Sequence, residues 1–168
     1  SSTGYFSMNS SNTNSGGWKS SQMRANIMGG NGTPTAPTTN SLMAALPADL
    51  RAVMKPATKY SDNTGGGSDT ASYVTSTTDL LPLLSEFEYH GARYYANSAE
   101  KNYQAQYDYY KAGNTKIANN HTAVTTAVWW GLRSPDYKGN DSFGIVWTDG
   151  GTTNNAHRSG GLRPGFAA

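Results

Sequence analysis

The sequence predicts a single α+β domain, on three observations. Helix-start chemistry is concentrated before residue 101: Ser85-Glu86-Phe87-Glu88 is a capping-box pattern, and Asn97 with Glu100 is a similar start. Beyond Ala123 the chain turns to β-rich runs at residues 125–132, 143–148 and 155–158. Asp149-Gly150-Gly151 has the chemistry of a hairpin turn. Helices early and a small twisted antiparallel sheet late define the α+β class. A chain of 168 residues can bury one sizeable core but not two independent ones, so residues 1–168 are read as one domain.

Taken in order, residues 1–17 are rich in Ser, Asn, Thr and Gly and are expected to lie over the domain. A first helix is expected from Trp18, capped by Ser20 or Ser21, with Trp18, Met23 and Ile27 at near-helical spacing and Gly29-Gly30 as its end. Residues 30–40 form a loop with Pro34 and Pro37, residues 41–46 a short helix, and Pro47 starts another turn. Residues 54–60 read as extended, forced at Lys55 by Pro56, and pair with residues 71–78 across the glycine-rich turn 61–69. Residues 80–84 are expected to be a buried strand. The longest helix is predicted over 98–112, with Tyr103, Tyr107 and Tyr110 on one face and Gly113 at its end. That tyrosine stripe reads as core packing with hydroxyls at the rim, or as a platform for a sugar or base; packing is favoured.

Composition excludes several functions. The formal net charge is +2 with no run of four like charges, so the electrostatic footprint of nucleic-acid binding is missing. No apolar run approaches the roughly 20 residues of a membrane span. Cysteine is absent, which removes disulfides, thiolate metal sites and thiol nucleophiles. The chain opens Ser-Ser-Thr-Gly, with neither a signal peptide nor Met, as expected of an excised domain or a processed chain. His90, His121 and His157 stand in no metal-binding frame, and no nucleophile elbow or phosphate loop occurs. Glu86 and Glu88 diverge on a helix and read as capping groups, not an acid/base pair. Asp136, Asp141 and Asp149, with neighbouring asparagines, offer oxygen ligands but no calcium-loop spacing. No cofactor, metal or catalytic residue is expected.

What remains is a pattern of fixed anchors and polar blocks. Trp129-Trp130 sends one ring into the core and leaves the other at the surface or beneath a loop. Arg133 and Arg163 are expected to clamp backbone carbonyls. Two blocks, Asp136-Tyr137-Lys138-Gly139-Asn140-Asp141-Ser142 and Thr152-Thr153-Asn154-Asn155-Ala156-His157-Arg158, flank one hairpin. They are either two solvated loops or a paratope, in which Tyr supplies contact area and Asn, Ser, Asp and Thr adaptable hydrogen bonds. The candidate ligand-binding residues are Asp136, Tyr137, Lys138, Asn140, Asp141, Ser142, Gly144, Trp147, Thr152, Asn154, Asn155, His157 and Arg158.

Trp129-Trp130-Gly131-Leu132-Arg133-Ser134-Pro135, Asp149-Gly150 and Gly161-Leu162-Arg163-Pro164-Gly165-Phe166 resemble a domain family of bacterial and phage surface proteins, as do residues 17–24 and 83–88. Gly131 interrupts that family's Trp-Trp-Leu run, and Gly165 stands where Ala is common. The family is similar to the C-type-lectin-like fold of formylglycine-generating enzymes and of the variable proteins of diversity-generating retroelements. The resemblance implies that fold, with flanking helices, long loops and an N-terminal strand beside the C-terminal one that is either truncated or lies within residues 4–8. It further implies a non-enzymatic domain with a diversified face on a virion or bacterial surface. Its partner would be a protein or glycan receptor on a host or target cell, with an oligomer compatible. The calcium–sugar motifs of true C-type lectins are absent, and the lack of cysteine argues against formylglycine chemistry. The alternatives are a structural tail, capsid or wall module and, least favoured, a degenerate hydrolase.

Overall fold

The computed structural model describes residues 6–120, 122–155 and 160–168. Candidate residues His157 and Arg158, and also His121, lie outside the described residues. The helices are short: α1 (Gly17–Ser20), α2 (Leu42–Ala45), α3 (Ala48–Val53), α4 (Glu86–His90) and α5 (Asp108–Lys111). A π-helical turn spans Met23–Ile27, and 3-10 turns span Ala71–Tyr73 and Ser98–Asn102. Strands β1 (Ala57–Asp62) and β2 (Val74–Asp79) form one antiparallel pair, and β3 (Ala118–Asn119) and β4 (Ala127–Val128) another. Strands β5 (Trp130–Pro135), β6 (Phe143–Val146) and β7 (Thr152–Asn155) form a three-stranded antiparallel sheet in that order. The domain is thus a mixed helix-and-sheet fold with short antiparallel sheets.

The β5–β6–β7 sheet separates two apolar cores. On one side Phe143 joins Met8, Trp18, Met23, Met28, Met43, Met54, Leu81 and Leu83; on the other, Val146, Trp130 and Leu132 join Leu84, Tyr89 and Tyr110. Strand alternation sends Phe143 one way and Val146 the other. Met fills five positions of the first core; an unbranched side chain packs well where short helices leave irregular gaps. Phe6 and Gly160 exchange two backbone hydrogen bonds at 2.9 and 3.0 Å, so the expected N-terminal partner of the closing segment is present at Phe6.

Several expectations about local structure held, and three did not. The capping box at Ser85 forms as read: Ser85 Oγ accepts from Glu88 N, and Glu88 Oε2 accepts from Ser85 N. The β1–β2 pairing also forms, displaced by a few residues from the expected bounds. The helix expected from Trp18 breaks at Ser21, whose hydroxyl donates to Trp18 O and accepts from Arg24 N, so the side chain ends one turn and caps the next. Residues 80–84 are largely buried but make one strand-like bridge, Leu83 to Pro164. Arg133 satisfies the Leu83 and Leu84 carbonyls instead.

The long helix over 98–112 is absent. Asn97 Oδ1 accepts from Ala99 N and starts a single 3-10 turn. The chain is then held extended by Gln104 Nε2 donating to Tyr60 O, Gln106 Nε2 to Tyr89 O and Tyr107 N to Glu88 O. The three tyrosines go to different places. Tyr103 stacks on Tyr60 at 4.2 Å, the Tyr107 hydroxyl donates to Glu88, and Tyr110 is buried edge-on to Tyr89.

Candidate functional site

The end of β5 rests on a buried ionic base. Arg133 is fully buried, and its guanidinium donates to the carbonyls of Leu83 and Tyr60, to Gln104 Oε1 and to Glu88 Oε2. The expected carbonyl clamp is therefore present, with a carboxylate added. Glu88 also receives the Lys59 ammonium at 2.7 Å. Burial alone would raise the Glu88 carboxyl, but the two cations outweigh it and hold the group down at about 2.

Two further carboxylates are buried beside this pair. Glu86 accepts from the backbone N–H groups of Tyr94, Tyr95 and Ala96, and burial still leaves its carboxyl above the usual range. Its role is therefore to hold the 94–96 backbone rather than only to complement a helix end. Glu100 accepts from Ser134 Oγ at 2.7 Å and from Asp62 N at 2.9 Å. Burial prevails over both bonds and the nearby Arg133, and pushes its carboxyl up to about 7. Ser134 in turn accepts from the Glu86 backbone N–H, so the end of β5 is tied to the Glu100 carboxylate and to the start of α4.

From this base springs the loop 136–142, closed by Asp136 N donating to Ser142 O at 2.9 Å. Its backbone is held by one side chain from the N-terminal segment. Asn14 is fully buried, and its Nδ2 lies 3.2, 2.8 and 2.9 Å from the carbonyls of Asp136, Gly139 and Ser142. Asn14 N donates to Asn140 O, and Asn14 Oδ1 accepts from Gly66 N. Gly65 is required here: at φ +66° a Cβ would sit 2.1 Å from Asn14 O. The other flank of the loop is tied by Tyr137 N donating to Tyr95 O at 2.8 Å.

The outward side chains of the loop are aromatic and cationic. The Arg93 guanidinium lies 3.9 Å from the Tyr137 ring centroid and pairs with Asp69 at 2.7 Å. Lys138 lies 5.4 Å from the Tyr137 ring and 6.0 Å from that of Tyr95. Tyr94, 46% exposed, lies next to His90, their rings tilted at 51° with centroids 4.3 Å apart.

The candidate residues do not all share this surface. Lys138 and Asn140 are exposed, and Tyr137, Asp141 and Ser142 are half-buried. Asp136 and Gly144 are buried, so neither presents a side chain outward as expected: Asp136 Oδ1 accepts from Lys138 N, and Gly144 lies in β6 against Leu132. Phe143 pairs with Asn155 and Val146 with Thr152, so Asn155 lies at the end of the sheet where the loop 136–142 emerges. Asn154 is one residue farther along, opposite Gly144. Thr152 and Trp147 lie at the opposite end, roughly 10 Å away at about 3.3 Å per residue. There Trp147, exposed, runs nearly parallel to Trp129, while Trp130 is fully buried. Arg163 clamps no carbonyl among the described residues; its guanidinium lies over the rings of Tyr110 and Trp130.

Sequence reasoning missed Asn14, Arg93, Tyr94 and Tyr95. Asn14 sits among like residues in a polar stretch, and the Arg-Tyr-Tyr run carries no partner signal until the loop is seen against it. Among the described residues no group of three His, Cys, Asp or Glu is placed to hold a metal ion, and no helix is long and apolar enough to cross a membrane. The chain belongs, over residues 5–167, to a family described as Domain of unknown function (DUF6273). Neither a curated protein nor a solved structure matches it.

Proposed function

We propose that this is a non-enzymatic ligand-binding domain, with the face built on loop 136–142 receiving a protein or glycan receptor on a host or target cell. One observation carries the reading. Buried Asn14 fixes the loop backbone through three carbonyls, while Lys138 and Asn140 face solvent and Tyr137 is only half-buried. A backbone held from beneath tolerates exchange of what it displays, as a diversified binding surface requires. The reading extends to a C-type-lectin-like variable protein of a diversity-generating retroelement, displayed on a virion or bacterial surface. The short antiparallel sheets, the long loops and the Phe6–Gly160 pairing support that fold.

Placement of the candidates narrows the face. Tyr137, Lys138, Asn140 and Asp141 form it with Arg93, Tyr94 and Tyr95, whereas Trp147 and Thr152 stand apart. Sequences of clonal relatives test the proposal. Differences are expected to cluster at the outward positions 137, 138, 140 and 141 and to spare Asn14, Asp136 and Gly144. An even scatter along the chain refutes diversification. Binding to cells of the host or target is expected to fall about tenfold or more in Tyr137→Ala. Unchanged binding favours a structural module whose loops meet only solvent.

A further inference from the structure

A cavity separate from loop 136–142 lies between the start of β1, residues 82–84 and the closing segment. Its volume is about 230 Å³, and its walls are Ala57, Pro82, Leu83, Leu84, Phe166 and Ala167, with Gly165 between the last wall residues and Pro82. An apolar cavity of about 150 Å³ takes a benzene molecule, so this one has room for a single ring or a short branched chain with a polar head. The walls are fixed: Gly165 N donates to Pro82 O at 2.9 Å, and Lys55 N to Ala167 O at 2.8 Å. Phe166, 52% exposed, stands at the rim as a large apolar side chain with little cover.

The polar lining of this cavity is Lys59 and Tyr107. The Lys59 ammonium donates to Glu88 Oε1 at 2.7 Å and to the Tyr107 hydroxyl at 2.6 Å, which uses two of its three N–H groups. Its side chain is 19% exposed, within reach of a small molecule. Arg133 and Lys59 both pair with the single carboxylate of Glu88. Glu86 and Glu100, the other buried acids of the region, direct their oxygens to backbone N–H groups and Ser134 instead. Burial works against the Lys59 charge, yet Glu88 holds its ammonium above the usual range, so the cation persists at neutral pH. One positive charge at the end of an apolar cavity is complementary to one negative charge on an apolar body.

We propose that this cavity binds a small organic monocarboxylate, its carboxylate on the remaining N–H of the Lys59 ammonium and its hydrocarbon against Pro82, Leu83 and Leu84. The site is independent of the receptor-binding reading, and either stands if the other fails. Phenylacetate and its neutral isostere phenylacetamide are titrated into the isotope-labelled chain and followed by backbone amide shifts. Phenylacetate is expected to give saturable shifts at Leu83, Leu84, Gly165 and Phe166, with the amide about tenfold weaker. Lys59→Met is expected to weaken phenylacetate about tenfold and leave phenylacetamide unchanged. Gly165→Val adds volume where a Cβ meets nothing within 4 Å, and it is expected to exclude both probes from a chain that keeps its native spectrum. If Lys59→Met does not fold, the two probes on the unmodified chain decide. Equal affinity for both probes marks a purely apolar groove and overturns the proposal, as do shifts confined to other residues or no saturable shift.

Discussion

The two connections that flank β6 are held in different ways. The loop 136–142 is secured from outside, by Asn14 beneath its carbonyls and Tyr95 at its flank. The turn 147–151 is secured largely by its own residues. Trp147 N donates to Gly151 O, Gly150 N to Trp147 O, and Asp149 Oδ1 accepts from Gly151 N, with Gly150 at φ +85°. Tyr89 adds one outside bond, from its hydroxyl to Gly150 O. Where outside groups hold a backbone, its side chains are released from structural duty; where a turn depends on its own side chains and glycine, they are not. On the proposed reading, the difference favours the loop 136–142 over the turn 147–151 as a place where displayed side chains can be exchanged.

The largest effect is expected from removing the outside support. Asn14→Ala strips the side-chain donor from the carbonyls of Asp136, Gly139 and Ser142, of which Ser142 O keeps its bond from Asp136 N, and leaves Gly66 N without its acceptor, at a cost of about 3 kcal/mol. Denaturant unfolding measures that loss. Hydrogen exchange should quicken at residues 137–142 and stay nearly unchanged at 147–151. Equal quickening at both connections would mean that they are not held separately.

The base beneath the loop gives a second, pH-dependent distinction. Glu100 titrates at about 7 in the folded chain against an ordinary value of 4.5, so between these values the folded state binds more protons than the unfolded. Stability from this group is therefore full below about pH 4.5, declines as pH rises to about 7 and is level above, a change on the order of 3 kcal/mol. Glu88 acts oppositely: its folded value of about 2 gives stability that is present above pH 4.5 and lost as pH falls toward 2. Glu100→Gln should abolish the decline between pH 5 and 7 while leaving the acid limb due to Glu88. Because Ser134 binds Glu100 and the turn 147–151 does not, exchange near the loop stem should carry this pH dependence. Its appearance in the turn alone would contradict the comparison.

A smaller effect is expected at the turn itself. Gly150→Ala forces a side chain into a left-handed conformation and brings Cβ to 3.2 Å from Lys116 Cβ, at a cost of about 1–2 kcal/mol. The loss is read from the denaturation midpoint, and the loop 136–142 should keep its exchange rates.

How much of this was legible depends on where each residue's partner lies. The Ser85–Glu88 capping box, the Asp149-Gly150-Gly151 turn and the β1–β2 hairpin rest on neighbours in sequence or a short closure, and all were readable. The helix over 98–112 was misread because Tyr103, Tyr107 and Tyr110 match a helical face, while Tyr60, Glu88 and Tyr89 recruit them separately from distant parts of the chain. Propensity yields to such tertiary bonds. In the site, the exposed polar residues of loop 136–142 were visible as a block. Asn14, more than a hundred residues away in sequence, was not. Nor were the buried acids, since Glu86 and Glu100 in isolation look like ordinary residues of a first helical turn.

The smallest expected effect tests the comparison most directly. Lys138 and Asn140 are exposed, and Asn14 binds the carbonyls of the loop, among them Asp136, Gly139 and Ser142, whatever the side chains at 138 and 140. Lys138→Ala and Asn140→Ala should therefore each change stability by less than about 0.5 kcal/mol. Asp136→Ala, in the same loop but buried and accepting from Lys138 N, should cost about 1 kcal/mol or more. Unfolding curves for the three variants separate a loop in which outward positions are free and inward ones fixed from a loop whose polar residues are all equally tolerant. If Lys138→Ala or Asn140→Ala destabilises as much as Asp136→Ala, the outward side chains help to build the loop, and exchange at them cannot leave the fold untouched.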